Sequence, residues 1–145
     1  MKLMYLGLMP LLLAAPLAHA QDVAVKADDL IAMRQAEMEM SAALAGLMKP
    51  VAQAKGDPAS LKDAAAALAA WAPTIASQFP PGTETGHETK ARPEIWSDRA
   101  GFEKAAADFT KAAQGLAEAA KRDGATFAAA YQATGEACLG CHRPY

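Results

Sequence analysis

The sequence predicts an all-α fold, an antiparallel four-helix bundle, on three observations. Ala, Leu, Lys, Glu and Met dominate residues 21–145, and these are helix-forming residues. Apolar residues recur at three- and four-residue steps in four separate stretches, and no alternating run of β-branched residues argues for a strand. Pro- and Gly-bearing turn signals divide those stretches into two short connections and one long one, as a bundle around a single core requires.

The chain opens with a segment that lies outside that fold. Met1–Ala20 has one basic residue, Lys2, then a Leu-rich run, then "LAHA" with small residues at Ala18 and Ala20, the pattern of a cleaved secretory signal. Pro10 and Pro16 interrupt the run, which falls short of the ~20 residues a spanning helix needs. What remains, residues 21–145, is the length of one domain. Losing Lys2 takes the formal net charge from −2 to −3, so no basic face invites nucleic acid or an anionic membrane. Export places the chain in the periplasm.

The first helix is expected over Ala27–Ala54, with Leu30, Met33, Met40, Leu44, Leu47 and Val51 forming a core-facing stripe and Glu37 its one polar member. Pro50 is expected to end or kink it near Lys49. After "KGDP", with Asp57 as N-cap and Pro58 in the first turn, a second helix runs from Pro58 to about Ala72 until Pro73 interrupts it. Leu61, Ala65, Leu68 and Ala72 face inward, with Trp71 beside them. The stretch "FPPGTETGHETKARPEIW" is too rich in Pro, Gly and Thr for a regular element and reads as a long surface connection, a frequent carrier of function. A third helix over Ser97–Arg122 steps through Phe102, Ala106, Phe109, Ala113, Leu116 and Ala120, and a fourth after "RDG" steps through Phe127, Tyr131, Thr134, Cys138 and Cys141. Facing alanines bury little area, so a core this light calls for another group to fill it.

Chemistry concentrates in "GEACLGCHRPY", residues 135–145, which holds both cysteines of the chain and one of its three histidines. On a helix Cys138, Cys141 and His142 share a face. C-x-x-C-H is the attachment signature of a c-type haem: each thiol adds to one porphyrin vinyl group, and the adjacent imidazole sits where it binds the iron. The rival readings fit less well. A thioredoxin-like pair wants a strand before the motif. Zinc wants four ligands, and residues 21–145 offer only His87 as the fourth. A structural disulfide across so short a loop constrains the unfolded chain little and ignores the histidine.

With the bundle, C-x-x-C-H near the C-terminus, the pair Arg34-Gln35 in the first helix and "PPGTETG" followed by "KARPEIWSD", residues 21–145 resemble the cytochrome c′ family of class II c-type cytochromes, with its low-spin cytochrome c556 branch. The resemblance implies one covalent haem c, with Cys138 and Cys141 as thioether anchors and His142 as the proximal axial iron ligand. It also implies that Arg34 and Gln35 lie near the haem propionates, where a guanidinium suits carboxylates, with Thr89 as a further contact on that side. Met38 matches the distal position, either as a pocket wall or as a possible distal ligand. The residues agree with an off-stripe place for it: Met38 points away from the Met33–Met40–Leu44 line, among Ile31, Ala42 and Ala45. Two departures stand out. The family usually carries a basic tail beyond the aromatic that follows the motif, and this sequence stops at that aromatic, Tyr145. Pro144 lacks an amide and disfavours helix at Arg143, so the fourth helix is expected to end close to His142.

Three function classes are open to such a chain. A five-coordinate haem with an apolar distal face binds NO or CO, and the resemblance implies a part in NO tolerance. A His/Met six-coordinate haem makes an electron carrier serving an unidentified redox partner. A peroxidase wants a distal acid–base residue; Glu37, beside Met38, is the nearest and is expected to aim elsewhere, so the chain reads as no enzyme. The resemblance further implies a homodimer through the first two helices.

Overall fold

The computed structural model describes residues 26–145, so the predicted export signal lies outside the described residues. Every regular element is helical, with no strand among the described residues, and residues 79–93 form an irregular loop. None of its helices is long and apolar enough to cross a membrane.

Helix α1 spans Ala27–Ala54, the predicted bounds. Of the two outcomes expected at Pro50, an end or a kink, the first does not occur: the helix runs through it. The carbonyl left without a partner is that of Gly46 on the exposed side of the helix, where water can take the lost bond. The helix ends one turn later at Lys55, whose φ of 49° is left-handed. There the Lys55 and Gly56 amides donate to Ala52 O (3.2 Å) and Val51 O (3.0 Å), closing a Schellman turn.

The larger correction concerns which face of α1 is buried. Met33 and Met40 are each 43% exposed and Leu47 is 59% exposed. The buried line is Ile31, Arg34, Met48 and Ala52, continued by half-buried Met38, Ser41 and Ala45. It has the predicted three–four rhythm displaced by one residue, about 100° around the helix, while Leu44 and Val51 of the predicted stripe still pack against the core from its edge.

Asp57 caps the next segment, its Oδ1 accepting from Ala59 N at 2.9 Å. A 3₁₀ turn over Ala59–Leu61 leads into α2, Lys62–Trp71. The α-helix ends at Trp71 ahead of Pro73, as expected, and the chain continues as a second 3₁₀ stretch over Ala72–Gln78. The predicted inward residues of α2 are all buried. Inside the segment expected to be irregular, Pro93 starts a single-turn helix α3, Glu94–Ser97. Helix α4 covers Arg99–Ala119 and begins later than expected because Asp98 caps it, accepting from Gly101 N at 3.2 Å. Helix α5, Gly124–His142, is capped by Asp123, which accepts from Thr126 N at 2.9 Å, and it ends at His142 as expected, although Arg143 keeps helical angles (φ −78°, ψ −49°) that Pro144 was expected to disfavour.

Helix α4 packs on α5 and α2, and α1 packs on α5 and α2, around Phe102, Phe109, Leu116 and Phe127. One end of the bundle is closed by backbone meeting backbone. A Cβ on Gly124 would collide with the carbonyls of Lys55 and Gly56, so glycine alone lets the α4–α5 turn sit on the end of α1. Along the seam Tyr131 Oη donates to Ala45 O at 2.9 Å. At the opposite end α1 and α5 border a cavity.

Candidate haem site

That cavity has a volume of about 720 Å³, and both the first and last helices contribute to it. Its apolar floor comes from Ile75, Phe79, Ile95 and Phe102; Arg34, Gln35, Thr89 and Arg92 are among its polar lining, and Glu39 and Glu88 also border it. Cys141, His142 and Met38 line it too. A smaller space of about 40 Å³ is bordered by Cys138, Cys141, His142 and Met38, with Trp71 and Phe109 among its apolar walls. The fold thus brings the three motif residues of α5 together with Met38 of α1, which is far away in sequence.

Both cysteines are half-buried and neither is in a disulfide. Burial pushes the Cys138 and Cys141 thiols up, in Cys141 with a further push from Cys138. A redox-active pair needs the reverse, a stabilised thiolate, so the site is poor for disulfide exchange. His142 stands exposed in the last turn of α5.

Arg34 is the most constrained polar residue of the site, only 2% exposed. Nη1 donates to Thr83 Oγ1 (2.9 Å) and Gln78 O (3.3 Å), and Nη2 donates to Thr83 O (2.8 Å) and Thr89 Oγ1 (3.2 Å). Its guanidinium carbon lies 4.3 Å from the centre of the Phe79 ring. Burial pushes its pKa down and Glu84 opposes the shift; the four acceptors give the desolvated charge its partners. Beside it, Gln35 Nε2 donates to His87 O at 2.9 Å. That bond ties down a left-handed stretch in which His87 and Glu88 have φ of 45° and 51°. The Arg-Gln pair therefore holds the loop that walls the cavity as well as bordering it.

Glu37 is turned elsewhere, accepting from Trp71 Nε1 at 2.9 Å and from Gln78 Nε2. Sequence reasoning missed two residues of the site. Arg99 donates to Phe79 O (2.9 Å) and Ala76 O (2.7 Å), fixing the start of the loop. Tyr145 lines the cavity and stacks on Phe102; an aromatic just after the motif was the available signal.

Two thiols one helical turn apart with a neighbouring imidazole, an apolar floor and cationic residues at the edge suit a porphyrin with carboxylate arms. The family model for cytochrome c′ matches residues 29–145. The chain belongs to the cytochrome c′ family. As a cytochrome c′ it carries a covalently attached haem c. It is 40% identical over 121 residues to cytochrome c′ of Rubrivivax gelatinosus, covering 81% of this chain and 93% of that one. Cytochrome c-556 of Agrobacterium tumefaciens is 34% identical over 103 residues, covering 71% and 81%. Among solved structures, the nitric oxide complex of a leucine-to-isoleucine mutant of cytochrome c′ from Alcaligenes xylosoxidans superposes with a TM-score of 0.76 at 33% identity, covering 83% of this chain and 96% of that one. The neighbours carry the predicted four-helix bundle architecture over to this chain.

Proposed function

We propose that this cytochrome c′ is a periplasmic monohaem protein that binds NO or CO at a five-coordinate haem. Cys138 and Cys141 hold the haem, and His142 ligates the iron from the proximal side. Arg34, Gln35 and Thr89 stand on the propionate side. Met38 is the distal wall. When bound, the haem iron supplies gas binding and one-electron redox chemistry. The observation that carries the reading is that Met38 and His142, from two different helices, border the same two spaces, with Ile75 common to both. The smaller space, walled by Trp71, Ile75, Ala106 and Phe109, is largely apolar, which disfavours water and anions, while a neutral diatomic molecule loses little on entering. The nitric oxide complex of the Alcaligenes xylosoxidans neighbour supports the same reading.

Optical and EPR spectra of the haem-loaded protein, with and without NO, test it. The ferric protein is expected to be high-spin and to take up NO once reduced, with Met38→Ala speeding uptake and leaving the spin state unchanged. A second reading, an electron carrier with Met38 sulfur on the iron, is favoured by the position of Met38 and by the cytochrome c-556 relative. A low-spin spectrum with a sulfur-to-iron charge-transfer band, lost in Met38→Ala, would establish that reading and sink the first. In either case an unidentified periplasmic redox partner exchanges electrons with the haem. The engagement of Glu37 by Trp71 and Gln78 leaves that residue unsuited to peroxidase chemistry, and the protein is read as no enzyme. Peroxidase turnover well above free-haem background would reverse this.

The exposed apolar stripe of α1 supports a homodimer, with Met33, Met40 and Leu47 covered by a second copy. Leu47→Glu is expected to shift the gel-filtration peak from dimer to monomer. A wild-type protein that elutes as a monomer at every concentration rules the dimer out.

A further inference from the structure

We infer that Tyr145 is a positioning residue for the iron ligand, a clasp that sets where the His142 turn stands against the rest of the cavity. The inference rests on the proposed ligation by His142. Leu139, Gly140, His142, Arg143 and Pro144 are all exposed, so the last turn of α5 has little packing of its own to orient it. Tyr145, the residue after Pro144, is tied at several separate points.

The Tyr145 amide donates to Cys141 O at 3.2 Å, closing the final turn, and its backbone oxygen accepts from Arg92 N at 3.2 Å. Arg92 Nη1 donates to Arg143 O at 2.8 Å. The ring meets Phe102 edge-on, with centroids 5.4 Å apart, and Phe102 meets Phe79 in the same way at 5.1 Å. The phenol donates to Asp98 Oδ2 at 2.9 Å, while Asp98 Oδ1 caps α4. The seat is shaped for that phenol: a Cβ on Gly101 would collide with Tyr145 Oη and Asp98 Oδ2. One residue thus fixes the end of the haem-binding helix, through its backbone to the loop and through its side chain to the start of α4. A ring anchored at both its backbone and its hydroxyl end leaves the preceding turn little freedom to rotate.

The test uses haem-loaded full-length Tyr145→Phe, Tyr145→Ala and Gly101→Ala. For each, the iron–histidine stretching band of the ferrous protein, the midpoint potential and the melting temperature are measured. A shift and broadening of the band is expected, largest in Tyr145→Ala and smaller in Tyr145→Phe. Gly101→Ala should reproduce the Phe effect, because it unseats the phenol without touching the haem segment. If band and potential equal those of the wild type while only melting falls, Tyr145 is merely structural and the inference is overturned. Should Tyr145→Ala fail to fold, the other two variants decide by the same criterion. A wild-type protein with no iron–histidine band overturns the proposed ligation itself, and the clasp's role with it.

Discussion

Replacing Cys138 and Cys141 together with serine is expected to abolish covalent haem. The variant should show no haem-stained band on a denaturing gel, and any pigment present should extract into acidified acetone. Serine is close to cysteine in shape, though its hydroxyl is more polar than the half-buried thiol, and it forms no thioether; no other cysteine exists in the chain to take over. Either single substitution leaves one bond and a gel-stable band. The stability effect should also be large. With no group fixed in the cavity of about 720 Å³, Ile75, Phe79, Ile95 and Phe102 face a solvent-filled space. The rest of the core is padded with alanine at Ala65, Ala106 and Ala113. A thermal melt of the double variant is expected to lose the sharp transition of the haem-loaded protein. Haem that stays covalently bound would place the attachment elsewhere.

Arg34→Ala is expected to destabilise the protein by about 3 kcal/mol, since hydrogen bonds made by a charged donor are each worth more than neutral ones and four are lost together. At this chain length that lowers the melting temperature by roughly 10 °C. Arg34→Lys keeps the charge but not the planar fork, so it should recover little of the loss. The comparison separates geometry from charge. Limited proteolysis gives a local readout, with cleavage expected between Pro80 and Thr89 in both variants before any global unfolding. If Lys restored full stability, the guanidinium would be acting as a charge beside the haem carboxylates and not as the anchor of the loop.

The sequence and the structure part at instructive places. The bounds of α1, the inward faces of α2 and α4, and the end of α5 at Pro144 were all legible, because each follows from local periodicity or from proline. The buried face of α1 was not. Met33, Met40 and Leu47 outscore Arg34, Ser41 and Ala45 in hydrophobicity, yet the first set is exposed and the second buried or half-buried. Periodicity identifies an apolar face but not what covers it. The inner side of α1 serves a cofactor cavity and a polar loop, so small and hydrogen-bonding residues belong there. Met38 lines the cavity, in keeping with its offset from the apolar line. The motif residues Cys138, Cys141 and His142 were legible from spacing alone. Arg99 and Tyr145 were not, since their partners, Phe79 O, Ala76 O and Asp98, are brought near only by the tertiary fold.

The closed end of the bundle has a mechanical consequence. Where Gly124 seats the α4–α5 turn against Lys55 and Gly56, the backbones touch and the helices cannot slide or part without breaking that contact. Helix α5, 19 residues long, then acts as a lever pivoted at that point, with an arm of roughly 28 Å. A one-degree change in its splay from α1 moves the His142 end by about 0.5 Å over such an arm. Angular displacement about that pivot would be greatest at the His142 end, which is where Tyr145 ties α5 to Asp98 and Phe102, so the restraint acts at the full length of the arm, where it holds the splay of α5 most effectively.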